Sequence, residues 1–327
     1  MRLKNKLQAL RSLCKVRLLG QRVPLAVRWQ LTNRCVARCK YCAVWQTPEQ
    51  EMSIDQITAI LDEMAAMGTQ TISFSGGEPM LREDIGLILE ETAGRGISTE
   101  MNSTGAGIPE NIARLKHLDF LKISLDGPQE VHDEVRGKGS FRYAMAAAEA
   151  AGANKLKFIF STTLTRFNIK EVDFLLGTAK KFNTLVAFQP LKSLYRGVKD
   201  VGALAPRKED YAAAIQKLID RKKKGDPHLR NSLIGLRHIS RWPDYPRLEC
   251  WAGQIFCILN TNGALMPCDR IAYNSQLPNC LDSGFRKAFL SLPEPCCGGC
   301  GFCGVLELNF LMSFRLGTLE SIYNIIK

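Results

Sequence analysis

The sequence predicts an α/β fold, a partial (β/α)6 TIM-like barrel followed by a small cysteine-rich C-terminal domain. Three observations carry this expectation. Apolar runs alternate with helical patterns, the strand pattern stops after Gln189-Pro190-Leu191, and eight cysteines gather between Cys250 and Cys303. The apolar runs fall at 25–31, 70–75, 97–102, 119–124, 157–163 and 185–190. Strands that alternate with helices imply a parallel sheet, and six such units fit an incomplete barrel.

Between the first two strands, Ile54, Ile57, Ile60, Leu61 and Met64 recur at helical spacing, with Ser53 placed as N-cap and Gly68 as stop. A length of 327 residues exceeds the usual single-domain range of about 100–200, and 46% hydrophobic residues suffice for a core. After the sixth strand a polar, basic stretch around Arg221-Lys222-Lys223-Lys224-Gly225-Asp226-Pro227 leads towards Cys250. The expected division is an N-terminal helix at 1–22, a core domain at 23–240 and a cysteine-rich domain at 241–327. No repeat or low-complexity tract is evident, and no run of about 18 apolar residues marks a membrane span.

The most informative segment follows the first strand directly. Cys35-Val36-Ala37-Arg38-Cys39-Lys40-Tyr41-Cys42 sets three thiols at CxxxCxxC spacing, enough for three corners of a 4Fe–4S cube whose fourth iron stays open. A buried electron carrier normally supplies four thiolates, so an open iron points to chemistry. A zinc knuckle is the plain alternative, although zinc sites favour CxxC pairs or CxxC with His pairs, and no second pair follows within a hundred residues. Ligand loops commonly sit at the carboxyl ends of parallel strands.

Two further strand ends complete a pattern, Ser75-Gly76-Gly77-Glu78-Pro79 and Ser124-Leu125-Asp126-Gly127. With the CxxxCxxC run they give the chain a resemblance to the radical S-adenosylmethionine enzymes over most of its length, Tyr41 taking the aromatic place in the cysteine motif. The resemblance implies a split rather than closed barrel. It also implies that the open iron is chelated by the amino and carboxylate groups of S-adenosylmethionine, and that an electron from the cluster cleaves a carbon–sulfur bond. The resulting 5′-deoxyadenosyl radical would take hydrogen from an unreactive carbon. Gly76 and Gly77 lack a Cβ and so admit a close ligand, the Glu78-Pro79 region would meet the cofactor's ammonium, and Asn102, Ser124 and Asp126 would serve its ribose, with Tyr41 beside the adenine. Singly these are ordinary turn and loop residues. Arg136 is a candidate for the cofactor carboxylate, a helix-surface ion pair explaining it equally, and Gln189 for the pocket wall.

The late cysteines suggest a second metal site. Cys250 precedes and Cys268 follows a hairpin of 255–260 and 264–266 that turns at Asn262-Gly263, and Cys297 with Cys300 makes a distant CxxC. These four are the favoured ligands of an auxiliary 4Fe–4S cluster, with Cys257 and Cys303 next. The arrangement resembles the twitch and SPASM domains of the same superfamily, while departing from the full SPASM spacing through the tighter CxxCxxC of Cys297, Cys300 and Cys303. A four-cysteine zinc site uses similar pairs, and Cys280 and Cys296 are surplus.

Net charge is +12, with no acidic residue before Glu49. Arg2, Lys4, Lys6, Arg11, Lys15 and Arg17, with Leu3, Leu7, Leu10 and Cys14 on one helical face, make Met1 to Leu19 a basic amphipathic helix. Such a helix suits an anionic membrane surface as well as packing on the barrel. No nucleic-acid motif appears. The thiol motif requires reduced cysteines and no signal-peptide core is seen, so the expected place is cytoplasmic, at most peripheral to the membrane. His117, His132, His228 and His238 form no HExxH, and no phosphate loop is present. The expected activity is radical modification of a peptide. A lipid- or polyprenyl-linked substrate is the alternative, and a non-catalytic electron carrier or zinc protein the contrasting class. The resemblance further implies a reductant such as flavodoxin or ferredoxin.

Overall fold

In a computed structural model, residues 16–192, 201–268, 277–294 and 299–313 are described. Most of the basic N-terminal helix therefore lies outside the described residues, although 16–19 are helical. Six parallel strands form the centre: β1 (Ala26–Thr32), β2 (Thr71–Gly76), β3 (Ser98–Ser103), β4 (Phe120–Ser124), β5 (Phe158–Leu164) and β6 (Leu185–Pro190). Each predicted apolar run lies within one residue of a strand at both ends. The strands pair in sequence order from β1 to β6, and the sheet does not close. The architecture is thus the expected partial (β/α)6 barrel.

Helix α1 (Ile54–Met67) follows β1 and α2 (Ile85–Gly94) follows β2, a 3-10 segment (Pro109–Leu115) follows β3, α3 (Gln129–Arg136) and α4 (Ser140–Ala153) both follow β4, and α5 (Val172–Lys181) follows β5. α1 starts where Ser53 and Gln56 form a reciprocal capping box and stops at left-handed Gly68. Alternation along the strands separates the two faces of the sheet. Trp29, Phe74, Met101, Ile123, Phe160 and Phe188 pack with the helices in the main core. Residues of opposite parity, among them Ser73, Glu100, Asn102, Lys122, Ser124, Ser161, Thr163 and Gln189, face the other side. The inner face is therefore polar, unlike the two-sided apolar strands of an ordinary parallel sheet.

After β6 come α6 (Lys208–Lys223) and α7 (Leu233–Ile239). Residues 228–231 extend the exposed β6 edge. Val186 N donates to His228 O at 2.8 Å, Arg230 N to Val186 O at 2.9 Å, and Asn231 brackets Phe188 through both its N–H and C=O. Such cover blunts an edge strand.

The sheet also continues past the expected boundary near 240. β7 (Phe256–Leu259) lies parallel beside β1, and β8 (Leu265–Met266) returns antiparallel through the expected turn, where Gly263 has φ +86°. Short helices α8 (Cys280–Ser283) and α9 (Phe285–Leu290) precede α10 (Cys303–Met312). Leu306 and Phe310 of α10 join the main core, and Val305 and Met312 join a second core around Trp251, Ile255, Phe256 and Ile258. The cysteine-rich region and the barrel thus share a sheet and a helix. No helix among the described residues is long and apolar enough to cross a membrane.

Candidate active site

The loop after β1 is fastened on both sides. Gly77 N donates to Thr32 O at 2.7 Å and Glu78 N to Arg34 O at 2.8 Å. A Cβ on Gly76, whose φ is +136°, would stand 2.1 Å from Thr32 O, and one on Gly77 would stand 2.1 Å from Arg34 O. The glycines were expected to admit a ligand. In the structure they admit the backbone that leads into the thiol loop. On the other side, Arg38 N donates to Arg136 O at 3.0 Å and Lys40 N to Val135 O at 2.9 Å, so the C-terminal turn of α3 holds the loop between its first and last cysteines. Asn33 ties the loop to two more segments, donating to Thr47 O at 2.7 Å and accepting from Thr261 Oγ1, at the β7–β8 turn, at 3.1 Å.

Cys35, Cys39 and Cys42 lie within electrostatic range of one another. Burial pushes the Cys35 thiol up to about 12. It pushes Cys39 up as well, against the pull of Arg136. Thiols so placed keep their protons until a cationic centre displaces them. Among the described residues no three His, Cys, Asp or Glu side chains form a site for a single metal ion. A donor set of three thiols beside glycine backbone and polar strand ends fits a cluster with an open iron.

Two carboxylates in the expected pocket act as fasteners. Glu78 is fully buried and accepts from Thr104 N at 2.7 Å, Thr104 Oγ1 at 2.6 Å, Ser103 Oγ at 2.9 Å and Met80 N at 3.2 Å, joining the β2 end to the β3 end. Burial raises its pKa although these donors oppose the rise. Asp126, also fully buried, accepts from Arg136 Nε at 2.6 Å, Tyr41 OH at 3.1 Å and Thr163 N at 3.1 Å. Its own N–H donates to His132 Nδ1 at 3.0 Å. Burial first, and Arg136 second, lower His132 to about 4, so that imidazole is a neutral acceptor. With its oxygens engaged by three donors, Asp126 positions Tyr41 and Arg136. Arg136 is buried in this ion pair, which excludes the helix-surface reading of it.

The remaining candidates line the inner face at strand ends. Asn102 Nδ2 donates to Ser73 Oγ at 3.0 Å and Phe74 O at 3.3 Å, and Gln189 Nε2 donates to Thr163 Oγ1 at 3.0 Å. Ser124 is half-buried at the end of β4, and Pro79 opens a short 3-10 turn. Tyr41 packs with Val135, Leu191, Val201 and Leu204, close to Cys39 and Cys42. Sequence reasoning missed Thr163 and a charged layer beneath these groups. In that layer Lys122 Nζ meets Glu100 Oε2 at 2.5 Å, and Arg230 lies over Phe120, 5.6 Å from its ring centre, in range of Glu100 and Glu307. The period-two spacing of Glu100 with Asn102 and Lys122 with Ser124 was the available signal.

Among the late cysteines, Cys250, Cys268 and Cys300 share the second core, and Cys297 lies outside the described residues. Cys257 does not join them. It alternates with Phe256 and Ile258 along β7 and so faces the main core, in electrostatic range of Cys280. Cys303 begins α10 with its sulfur 3.6 Å from Phe188 O.

Residues 29–178 match the family model of the Radical SAM superfamily. Mycofactocin maturase MftC of Mycolicibacterium smegmatis is 28% identical over 306 residues, spanning 87% of this chain and 76% of that protein. An AdoMet-dependent heme synthase of Oleidesulfovibrio alaskensis is 24% identical, spanning 85% of this chain and 79% of that protein. Among solved structures, Streptococcus suis SuiB bound to S-adenosylmethionine superposes with a TM-score of 0.67 at 15% identity, covering 87% of this chain and 70% of that one. The AdoMet-bound anSMEcpe reaches 0.65 at 17% identity, covering 82% and 80%. With the thiol loop, the glycine segment and the open barrel in place, residues 29–178 are identified as a radical SAM domain.

Proposed function

We propose that this protein is a radical S-adenosylmethionine enzyme that modifies a peptide. The observation that carries the reading is convergence: the thiol loop, the β2 glycines and the polar ends of β3 to β6 meet at one end of an open sheet, fastened there by buried carboxylates. Cys35, Cys39 and Cys42 would hold a 4Fe–4S cluster, which together with S-adenosylmethionine supplies reductive cleavage to a 5′-deoxyadenosyl radical for hydrogen abstraction. The radical chemistry is the cofactor's, and the protein's part is placement and exclusion of water. With the Glu78 carboxylate engaged by β3, main chain at 76–78 is the part of that segment suited to an ammonium group. Asn102, Ser124 and Gln189 offer groups to ribose and substrate, and the Tyr41 ring, held by Asp126, offers a flank for adenine.

Peptide over lipid is favoured by the charged inner face, since Glu100, Lys122 and Arg230 suit amides and ionised groups better than an acyl or prenyl chain. Support also comes from relatives, since one is named a mycofactocin maturase and SuiB has been solved bound to its precursor peptide SuiA. An auxiliary cluster on Cys250, Cys268, Cys297 and Cys300 would serve the product's electron or hold substrate. A flavodoxin- or ferredoxin-type reductant would supply the first electron. The test is anaerobic reconstitution with iron and sulfide, then incubation with S-adenosylmethionine and dithionite. Release of 5′-deoxyadenosine is expected, and none from a protein with an intact cluster refutes the enzyme reading.

A further inference from the structure

We infer that Arg136 raises the reduction potential of the cluster on Cys35, Cys39 and Cys42, and that Asp126 limits that rise, an inference that rests on the cluster reading above. The guanidinium Nη1 lies 3.8 Å from Cys39 Sγ with donor geometry. Its Nε is held at 2.6 Å by Asp126, and its Cζ lies 5.5 Å from the Tyr41 ring centre. Arg136 is 8% exposed and Asp126 0%, so water screens this charge weakly.

The other cations of the loop are turned elsewhere. Arg38 caps Cys35 O at 2.7 Å and Ala37 O at 3.0 Å while stacking on Trp45, and Lys40 pairs with Glu134 above the Phe167 ring. Among the described residues, Arg136 is the charged side chain hydrogen-bonded to a sulfur of the motif.

Hydrogen bonds to cluster sulfurs, net charge and solvent exposure set iron–sulfur potentials. A donor with fixed positive charge at a thiolate favours the state that carries one more electron. Asp126 supplies an opposing negative charge through the same guanidinium. Removing one partner and removing the other must therefore move the potential in opposite directions. A purely structural role for the pair predicts no such reversal. The main-chain bonds from Arg38 and Lys40 to Arg136 and Val135 keep the sulfur and the guanidinium in register whatever the side chain at 136. Substitution thus tests charge without unfastening the loop.

The experiment compares wild type with Arg136→Gln, Arg136→Lys and Asp126→Asn, each reconstituted anaerobically without S-adenosylmethionine. Iron and sulfide are counted first, and the cluster is then titrated with dithionite under EPR at fixed potentials. Arg136→Gln with full iron is expected to lower the reduced-to-oxidised ratio at least tenfold, which for one electron is about 59 mV. Asp126→Asn shifts the ratio the other way, and Arg136→Lys falls between wild type and Arg136→Gln. Variants that hold iron and titrate with wild type overturn the inference, and so does a shift seen only after S-adenosylmethionine is added, which would assign Arg136 to the cofactor carboxylate. Should Arg136→Gln fail to load, the sign of the Asp126→Asn shift decides. Wild type that binds no iron overturns the cluster reading and this inference together, whereas an unmoved potential on a loaded cluster overturns the inference alone.

Discussion

Substituting Gly77 by alanine tests whether β2 fixes the thiol loop. The added Cβ would sit 2.1 Å from Arg34 O, 2.6 Å from Arg34 C and 2.8 Å from Asn33 O. All three are backbone atoms, so no side-chain rotation relieves the clash. Restoring ordinary contact at about 3.4 Å moves the 33–34 backbone by roughly 1.3 Å. That movement strains the Gly77 N to Thr32 O and Glu78 N to Arg34 O bonds, each worth about 1 kcal/mol net. Overpacking of a close-packed contact costs about 1–3 kcal/mol. The expected loss is about 3–5 kcal/mol, a large share of a typical stability of about 5–15 kcal/mol. Urea unfolding under reducing conditions measures it, and iron counts after reconstitution report the thiol geometry, with substoichiometric iron expected. Gly152→Ala is the control. Its Cβ would meet nothing within 4 Å, on helix α4, where alanine gains up to about 1 kcal/mol. A Gly77→Ala protein that unfolds within about 0.5 kcal/mol of wild type, the spread of an inconsequential surface change, and binds iron fully would refute the argument.

The other expectations concern the cysteine-rich region and α4. A Cys35, Cys39, Cys42 triple-alanine variant should retain iron at the late cysteines, and near-zero iron would refute an auxiliary cluster; Cys257→Ala in that background should leave the retained iron unchanged, because β7 turns Cys257 into the main core. Asp133 takes the capping place at the start of α4, accepting from Gly139 N and Phe141 N at 2.8 Å each and Ser140 Oγ at 3.2 Å. Partial burial raises its pKa, but these bonds outweigh it and hold it below the ordinary value, so its stabilisation is present above about pH 3.9 and is lost as pH falls through the lower folded value. Asp133→Ala should cost about 1 kcal/mol near neutrality and flatten that acid limb in a pH series of melts; an unchanged limb would count against the cap.

What could be read from the sequence was what local spacing encodes. Ser53 and Gly68 bound α1 as expected because caps are properties of four or five neighbouring residues. The six strands were visible because apolar side chains at alternate positions had to meet the helices. The inner face was hidden for the complementary reason. Glu100 and Lys122 stand 22 residues apart in sequence, and their meeting depends on β3 and β4 being neighbours in register. The same holds for Cys257, whose side of the sheet follows from β7 pairing with β1, a pairing between segments that share no local signal. No spacing rule distinguishes a cysteine facing a second core from one facing the first.

The roles within the motifs divide by depth in the same way. Glu78 and Asp126 are the charged members of their motifs and therefore looked like ligand contacts, yet burial without a partner would cost a carboxylate several kcal/mol. Glu78 is instead engaged by four donors from the β3 end and its own turn, and Asp126 by Arg136 of α3, Tyr41 of the thiol loop and Thr163 of β5. Neither carboxylate can reorganise around a ligand without leaving Thr104, or Tyr41 and Arg136, unpaired. The groups free to change partners are the half-buried, uncharged ones, Asn102, Ser124 and Gln189, whose hydrogen bonds can be exchanged at little net cost. Specificity for cofactor and substrate is accordingly expected in the short polar side chains at the ends of β3, β4 and β6, while the charged residues that make the motifs recognisable hold the strand ends at which those side chains stand.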